Sequence, residues 1–111
     1  MLPCARMALA RRKLGLMVST APEHPNLETA LGLSQAALDG GGDVYLYLLD
    51  DAVAAVDDAR LLALADRGLK LFVCAYGCQK RRRPLSDRAT NCGLVVLTDV
   101  INGTDRFVAL N

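Results

Sequence analysis

Three short, almost unbroken apolar runs punctuate this chain: Leu14-Gly15-Leu16-Met17-Val18, Val44-Tyr45-Leu46-Tyr47-Leu48-Leu49 and Leu69-Lys70-Leu71-Phe72-Val73. A strand with one face in water alternates polar and apolar residues, whereas a strand covered on both faces reads as a continuous apolar run. Between the first two runs, Leu27, Ala30, Leu31, Ser34, Ala37 and Leu38 recur at spacings of three and four, which places them on one helix face. Between the second and third, Leu61, Leu62, Leu64 and Ala65 mark another helix. Buried strands alternating with helices predict an α/β fold whose mostly parallel sheet is covered on both sides.

Local signals set the boundaries. Ser19-Thr20-Ala21-Pro22 ends the first strand, Asn26 is placed to cap the first helix with Glu28 in its first turn, and Gly40-Gly41-Gly42 ends that helix. Asp50-Asp51 closes the second strand, and the apolar segment 52–56 has no decided type. Asp57 or Asp58 caps the next helix, which Gly68 stops. Residues 94–97 favour a strand by propensity, yet Leu94, Leu97, Val100 and Ile101 also fit a short helix. Asn102-Gly103 signals a turn before a last strand at 106–110. The total is about five strands.

A length of 111 residues suits one domain. Residues 14–111 read as that domain and 1–13 as a disordered N-terminal extension. With 13 basic and 12 acidic side chains, the net charge of +1 argues against a polyanion-binding surface. Basic residues do cluster at Arg11-Arg12-Lys13 and Lys80-Arg81-Arg82-Arg83, but the second run has only Tyr76 near it as a stacking platform, so no nucleic-acid partner is expected. No apolar run approaches membrane-spanning length, and none has the layout of a secretory signal. The expectation is a cytoplasmic protein without a membrane partner. The four cysteines are not spaced as a disulfide scaffold and read as reduced thiols. Glycines 40–42 follow a helix rather than precede one, so no phosphate-binding cofactor is expected. Cys74, Cys78, Cys92 and His24 match no common zinc spacing, so no metal is expected either.

Cys74 carries the chemical argument. It falls where the third strand hands over to a following segment, the end of an open α/β sheet at which ligand crevices form. A helix N-terminus and nearby cations there would favour the thiolate, so Cys74 is expected to be exposed and reactive. Cys78, at i+4, shares its face if the segment is helical and is a candidate resolving thiol. Lys80 and Arg81 are candidate supporting cations, and His24, in the loop after the first strand, is a candidate base or hydrogen-bond partner.

The order of these pieces resembles the DsrE/DsrF-like family of small sulfur-relay proteins. The likeness rests on the strand and loop at 16–22 with the helix at 30–38, on Gly68-Leu69-Lys70-Leu71-Phe72-Val73-Cys74 followed by Lys80-Arg81, and on Cys92-Gly93-Leu94 with Asp105-Arg106-Phe107-Val108. The resemblance implies a three-layer α/β/α sandwich and assembly with itself or related subunits as a trimer or hexamer. It implies that Cys74 accepts sulfane sulfur as a persulfide and exchanges it with donor and acceptor proteins. It also implies a helix over residues 94–102. Two departures from the family pattern are Arg82-Arg83-Pro84, where a glycine usually follows the basic pair, and the additional thiol Cys78.

Overall fold

The computed structural model describes residues 11–82 and 89–111. Five strands form one sheet in the order β4-β3-β2-β1-β5, and every neighbouring pair is parallel. They are β1 (Lys13–Val18), β2 (Asp43–Leu48), β3 (Lys70–Cys74), β4 (Thr90–Cys92) and β5 (Arg106–Leu110). The helices are α1 (Pro25–Asp39), α2 (Ala59–Asp66), α3 (Ala75–Lys80) and α4 (Leu94–Gly103), with a 3₁₀ helix over Asp50–Asp57. The expected α/β architecture, with helices on both sides of a parallel sheet, is the one observed.

The continuous apolar runs form the three inner strands as their pattern requires. Leu16, Val18, Val44, Leu46, Leu48, Leu71 and Val73 are buried in the main core with Leu27 and Ala30 of α1, Val53 of the 3₁₀ helix and Leu61 of α2. On the opposite face Tyr45, Tyr47 and Phe72 stack in a column, with ring centroids 6.5 Å apart in both pairs. Here the chain runs close to α4. A Cβ on Gly15 would lie 2.8 Å from Thr104 Oγ1 and 2.9 Å from Phe107 Cδ1, so only glycine lets β1 fit beneath the end of that helix.

Several expectations shift by a few residues. α1 is capped by the His24 ring, whose Nδ1 accepts the Asn26 N–H at 3.1 Å, rather than by Asn26. Pro25 occupies the first turn, where its missing N–H costs nothing. Asp58, not Asp57, caps α2 by accepting the Arg60 N–H at 2.8 Å. Gly68 follows α2 with φ +113°, a conformation glycine adopts freely. The undecided segment 52–56 lies within the 3₁₀ helix. Residues 94–103 are helical, so the propensity for a strand there gives way to packing of the segment against the sheet. The fourth strand is instead Thr90–Cys92, inside a stretch whose polar sequence gave no strand signal. β1 starts at Lys13, which the extension would have included, while residues 1–10 and 83–88 lie outside the described residues.

Candidate functional site

The C-terminal ends of β2, β3 and β4 bring together Tyr47, Cys74 and Cys92. Cys74 is the last residue of β3 and the N-cap of α3, and its Sγ accepts the Gly77 N–H at 3.3 Å. N-caps are ordinarily oxygen side chains, so here a sulfur does the work of a serine or aspartate oxygen. An anionic sulfur accepts such a bond more strongly than a neutral one. Gly77 suits this turn because the 3₁₀ helix packs closely on it: a Cβ would stand 3.1 Å from Val53 Cγ1.

Parallel register puts Cys92 directly beside Cys74 on the neighbouring strand. Cys92 is half-buried, with Sγ 3.8 Å from the Val73 carbonyl oxygen. Tyr47, two strands away in the sheet order, is fully buried and donates its hydroxyl to the Gly93 carbonyl at 2.8 Å. That hydroxyl also lies within interaction range of both Cys92 and Cys74. Burial raises the phenol's pKa far above its ordinary value, and negative charge on Cys92 or Cys74 raises it further. Burial likewise pushes the Cys92 thiol up, and charge on Cys74 adds to this. Tyr47 and Cys92 are therefore not readily charged together.

The other sequence candidates are distributed as follows. Cys78 is buried one turn beyond Cys74, on α3. Lys80 is exposed in the last turn of α3. Arg81 donates Nε–H to Asp51 Oδ1 at 3.0 Å, an ion pair between the end of α3 and the start of the 3₁₀ helix. His24 is exposed and caps α1. Among the described residues no group of three or more His, Cys, Asp or Glu side chains is arranged to hold a metal, and no helix is long and apolar enough to cross a membrane.

Accessibility departs from expectation. Cys74 is only 3% exposed, because the end of β3 is enclosed where α3 and the 3₁₀ helix pack together. Tyr47 and the pairing of Cys92 with Cys74 were missed from sequence. Tyr47 read as one more strand aromatic, and β4 has no apolar run to reveal which residue would sit beside Cys74.

No protein-family model and no curated protein matches the chain. Solved structures do. The YchN protein from E. coli superposes with a TM-score of 0.75 at 20% identity, covering 89% of this chain and 99% of YchN. BT1422 from Bacteroides thetaiotaomicron, described as a conserved protein of unknown function, gives a TM-score of 0.72 at 13% identity, covering 88% of this chain and 94% of that one. At these identities the likeness establishes a shared α/β fold spanning nearly the full length of both neighbours.

Proposed function

We propose that the protein is a sulfur carrier of the DsrE/DsrF-like kind, in which Cys74 accepts sulfane sulfur as a persulfide and passes it to an acceptor thiol. The observation that carries this reading is the bond from the Gly77 N–H to Cys74 Sγ at the C-terminal end of β3. A backbone donor fixed on that sulfur holds it at the strand end, and the thiolate is the attacking species in each exchange step. In loading, the Cys74 thiolate attacks the outer sulfur of a donor persulfide and the donor leaves as a thiolate. In unloading, an acceptor thiolate attacks the outer sulfur on Cys74. Sulfur at the same oxidation level moves in both steps, and no metal or cofactor takes part.

Cys78 remains the candidate resolving thiol on the same short helix, and Lys80 and Arg81 offer a basic rim for an acidic partner protein. The carrier is read as cytoplasmic, where thiols stay reduced. It is read as assembling with copies of itself as a trimer or hexamer: Val95 is 73% exposed on α4, with Leu94 and Ile101 also exposed on that helix. Peptide-resolved mass spectrometry after incubation with a persulfide donor tests the assignment. Cys74 should gain the mass of one sulfur atom, and Cys74→Ser should lose that loading. A parent Cys74 peptide that gains no sulfur while the chain is loaded elsewhere removes Cys74 from the role.

Burial of Cys74 and Cys78 supports a second reading, a non-catalytic assembly module whose cysteines are packing residues. It predicts an intact oligomer in which no thiol takes up sulfur.

A further inference from the structure

A persulfide acceptor that is 3% exposed poses a problem of access, because a donor protein must bring its own sulfur into line with the attacking thiolate. The neighbouring strand supplies a route. Cys92 is the register partner of Cys74, is more exposed than it, and reaches to 3.8 Å from the carbonyl of Val73, the residue just before Cys74. Paired strands lie about 4.8 Å apart, within the range of backbone separations that lets two cysteine sulfurs meet. Two sulfurs exchanging a third need to stand roughly 4–5 Å apart, about two S–S bonds in line. The Tyr47 hydroxyl donates to the carbonyl of Gly93, the residue after Cys92, at 2.8 Å, which brings the phenol to the same end of the sheet.

We infer that Cys92 is the port of the site: sulfane sulfur enters on Cys92 and moves from there to Cys74. This rests on the reading of Cys74 as the persulfide holder. In the first step the Cys92 thiolate attacks the outer sulfur of the donor persulfide, the donor's S–S bond breaks, and the donor leaves as a thiolate that takes up a proton. In the second, the Cys74 thiolate attacks the outer sulfur of the Cys92 persulfide. The Cys92–sulfur bond breaks, and the proton given up by Cys74 is restored to Cys92. Neither step changes the net oxidation level. The arrangement separates two tasks: the accessible thiol exchanges with partners, and the enclosed one keeps the labile sulfur away from stray thiols. Unloading runs the same steps in reverse.

The test uses the full chain with glutathione persulfide as donor, quenched by alkylation over a time course and read by peptide-resolved mass spectrometry. In the parent, added sulfur should appear on Cys92 before Cys74. Cys92→Ala should load Cys74 at least tenfold more slowly, while Cys74→Ala should hold its sulfur on Cys92. Far-ultraviolet circular dichroism checks that the variants fold, and the order of loading in the parent needs no variant. Loading of Cys74 at the parent rate in Cys92→Ala overturns the port while leaving the carrier reading intact. A Cys74–Cys92 disulfide with release of hydrosulfide also overturns it, since Cys92 would then resolve the persulfide rather than relay it. Absence of added sulfur on both cysteines of the parent overturns the carrier reading itself.

Discussion

Replacing Tyr47 by phenylalanine should destabilise the protein at neutral pH and make it relatively more stable in alkali. The substitution removes one oxygen from a fully buried side chain and leaves the Gly93 carbonyl without its 2.8 Å partner. A net hydrogen bond contributes about 1 kcal/mol, and because Gly93 is itself exposed, water can replace the lost donor. The expected cost at pH 7 is therefore about 1 kcal/mol, or roughly half a molar in urea midpoint for a slope near 2 kcal/mol per molar. Alkali works in the other direction. The folded phenol titrates above its unfolded value because of burial, with negative charge on Cys92 and Cys74 reinforcing the effect. A group whose folded pKa is raised contributes stability that is fully present below the unfolded pKa, about 10 for tyrosine, and is lost as pH climbs above it. By pH 11 that loss amounts to about 1.4 kcal/mol in the parent and is absent in Tyr47→Phe. Tyr45, Tyr76 and the cysteines are present in both proteins, so their titration cancels from the comparison to first order. Urea unfolding at pH 7, 9, 10.5 and 11 should show the two stabilities converging and crossing between about pH 10.5 and 11. A gap that stays constant across this range would mean that Tyr47 is not held as a buried, neutral phenol, and the thiol–phenol cluster would lose its central member.

Three further outcomes follow from the geometry. Gly15→Ala should cost about 1–3 kcal/mol in urea unfolding, because its Cβ would press on Thr104 and Phe107 and must displace the end of α4. Asp58→Ala should cost about 1 kcal/mol through loss of the α2 cap, and the loss should shrink as pH falls through the carboxyl's folded pKa, which its bonds to Arg60 lower; thermal melts at pH 7 and pH 3 check this. In the native protein iodoacetamide should modify Cys92 ahead of Cys74 and Cys78, as their burial dictates, and peptide mapping of a time course reads the order directly.

How much of this was legible from sequence depended on whether a feature is local or comes from pairing across the sheet. The inner strands β1, β2 and β3 could be read because burial on both faces leaves an apolar run that needs no partner to be recognised. β5 could be read from the apolar residues at 106–110, although Asn102-Gly103, read as a turn, are the last residues of α4. β4 could not, since Thr90-Asn91-Cys92 is a three-residue edge strand defined by its pairing with Phe72, Val73 and Cys74. The segment at 94–97 misled by composition: Leu94-Val95-Val96-Leu97 has strand propensity, but docking of its Val96, Leu97 and Val100 against the sheet outweighs a preference worth well under 1 kcal/mol per residue. His24 became a cap instead of a site base because Pro25 fixes the first turn one residue early and leaves the imidazole beside the Asn26 N–H.

The same division explains the site. That Cys74 ends a strand is local information, and the residue lies where its sequence placed it. That it is enclosed is not, because the closure comes from the 3₁₀ helix at Asp50–Asp57, whose Val53 lies against Gly77 from more than a helix and a strand away in the chain. The Arg81 guanidinium is engaged by the same element, since Asp51, at the start of that 3₁₀ helix, binds Arg81. One element thus both packs over the turn after Cys74 and engages the Arg81 guanidinium. The polar contact that the fold gives this sulfur is the Gly77 N–H, a donor fixed in place by the backbone. Such a donor needs no mobile side chain and is screened little by salt in a buried site. Sulfur loading of Cys74 should accordingly vary little with ionic strength when the donor is a small persulfide. A strong salt dependence with such a donor would show that Lys80 or Arg81, and not the backbone, governs the thiol.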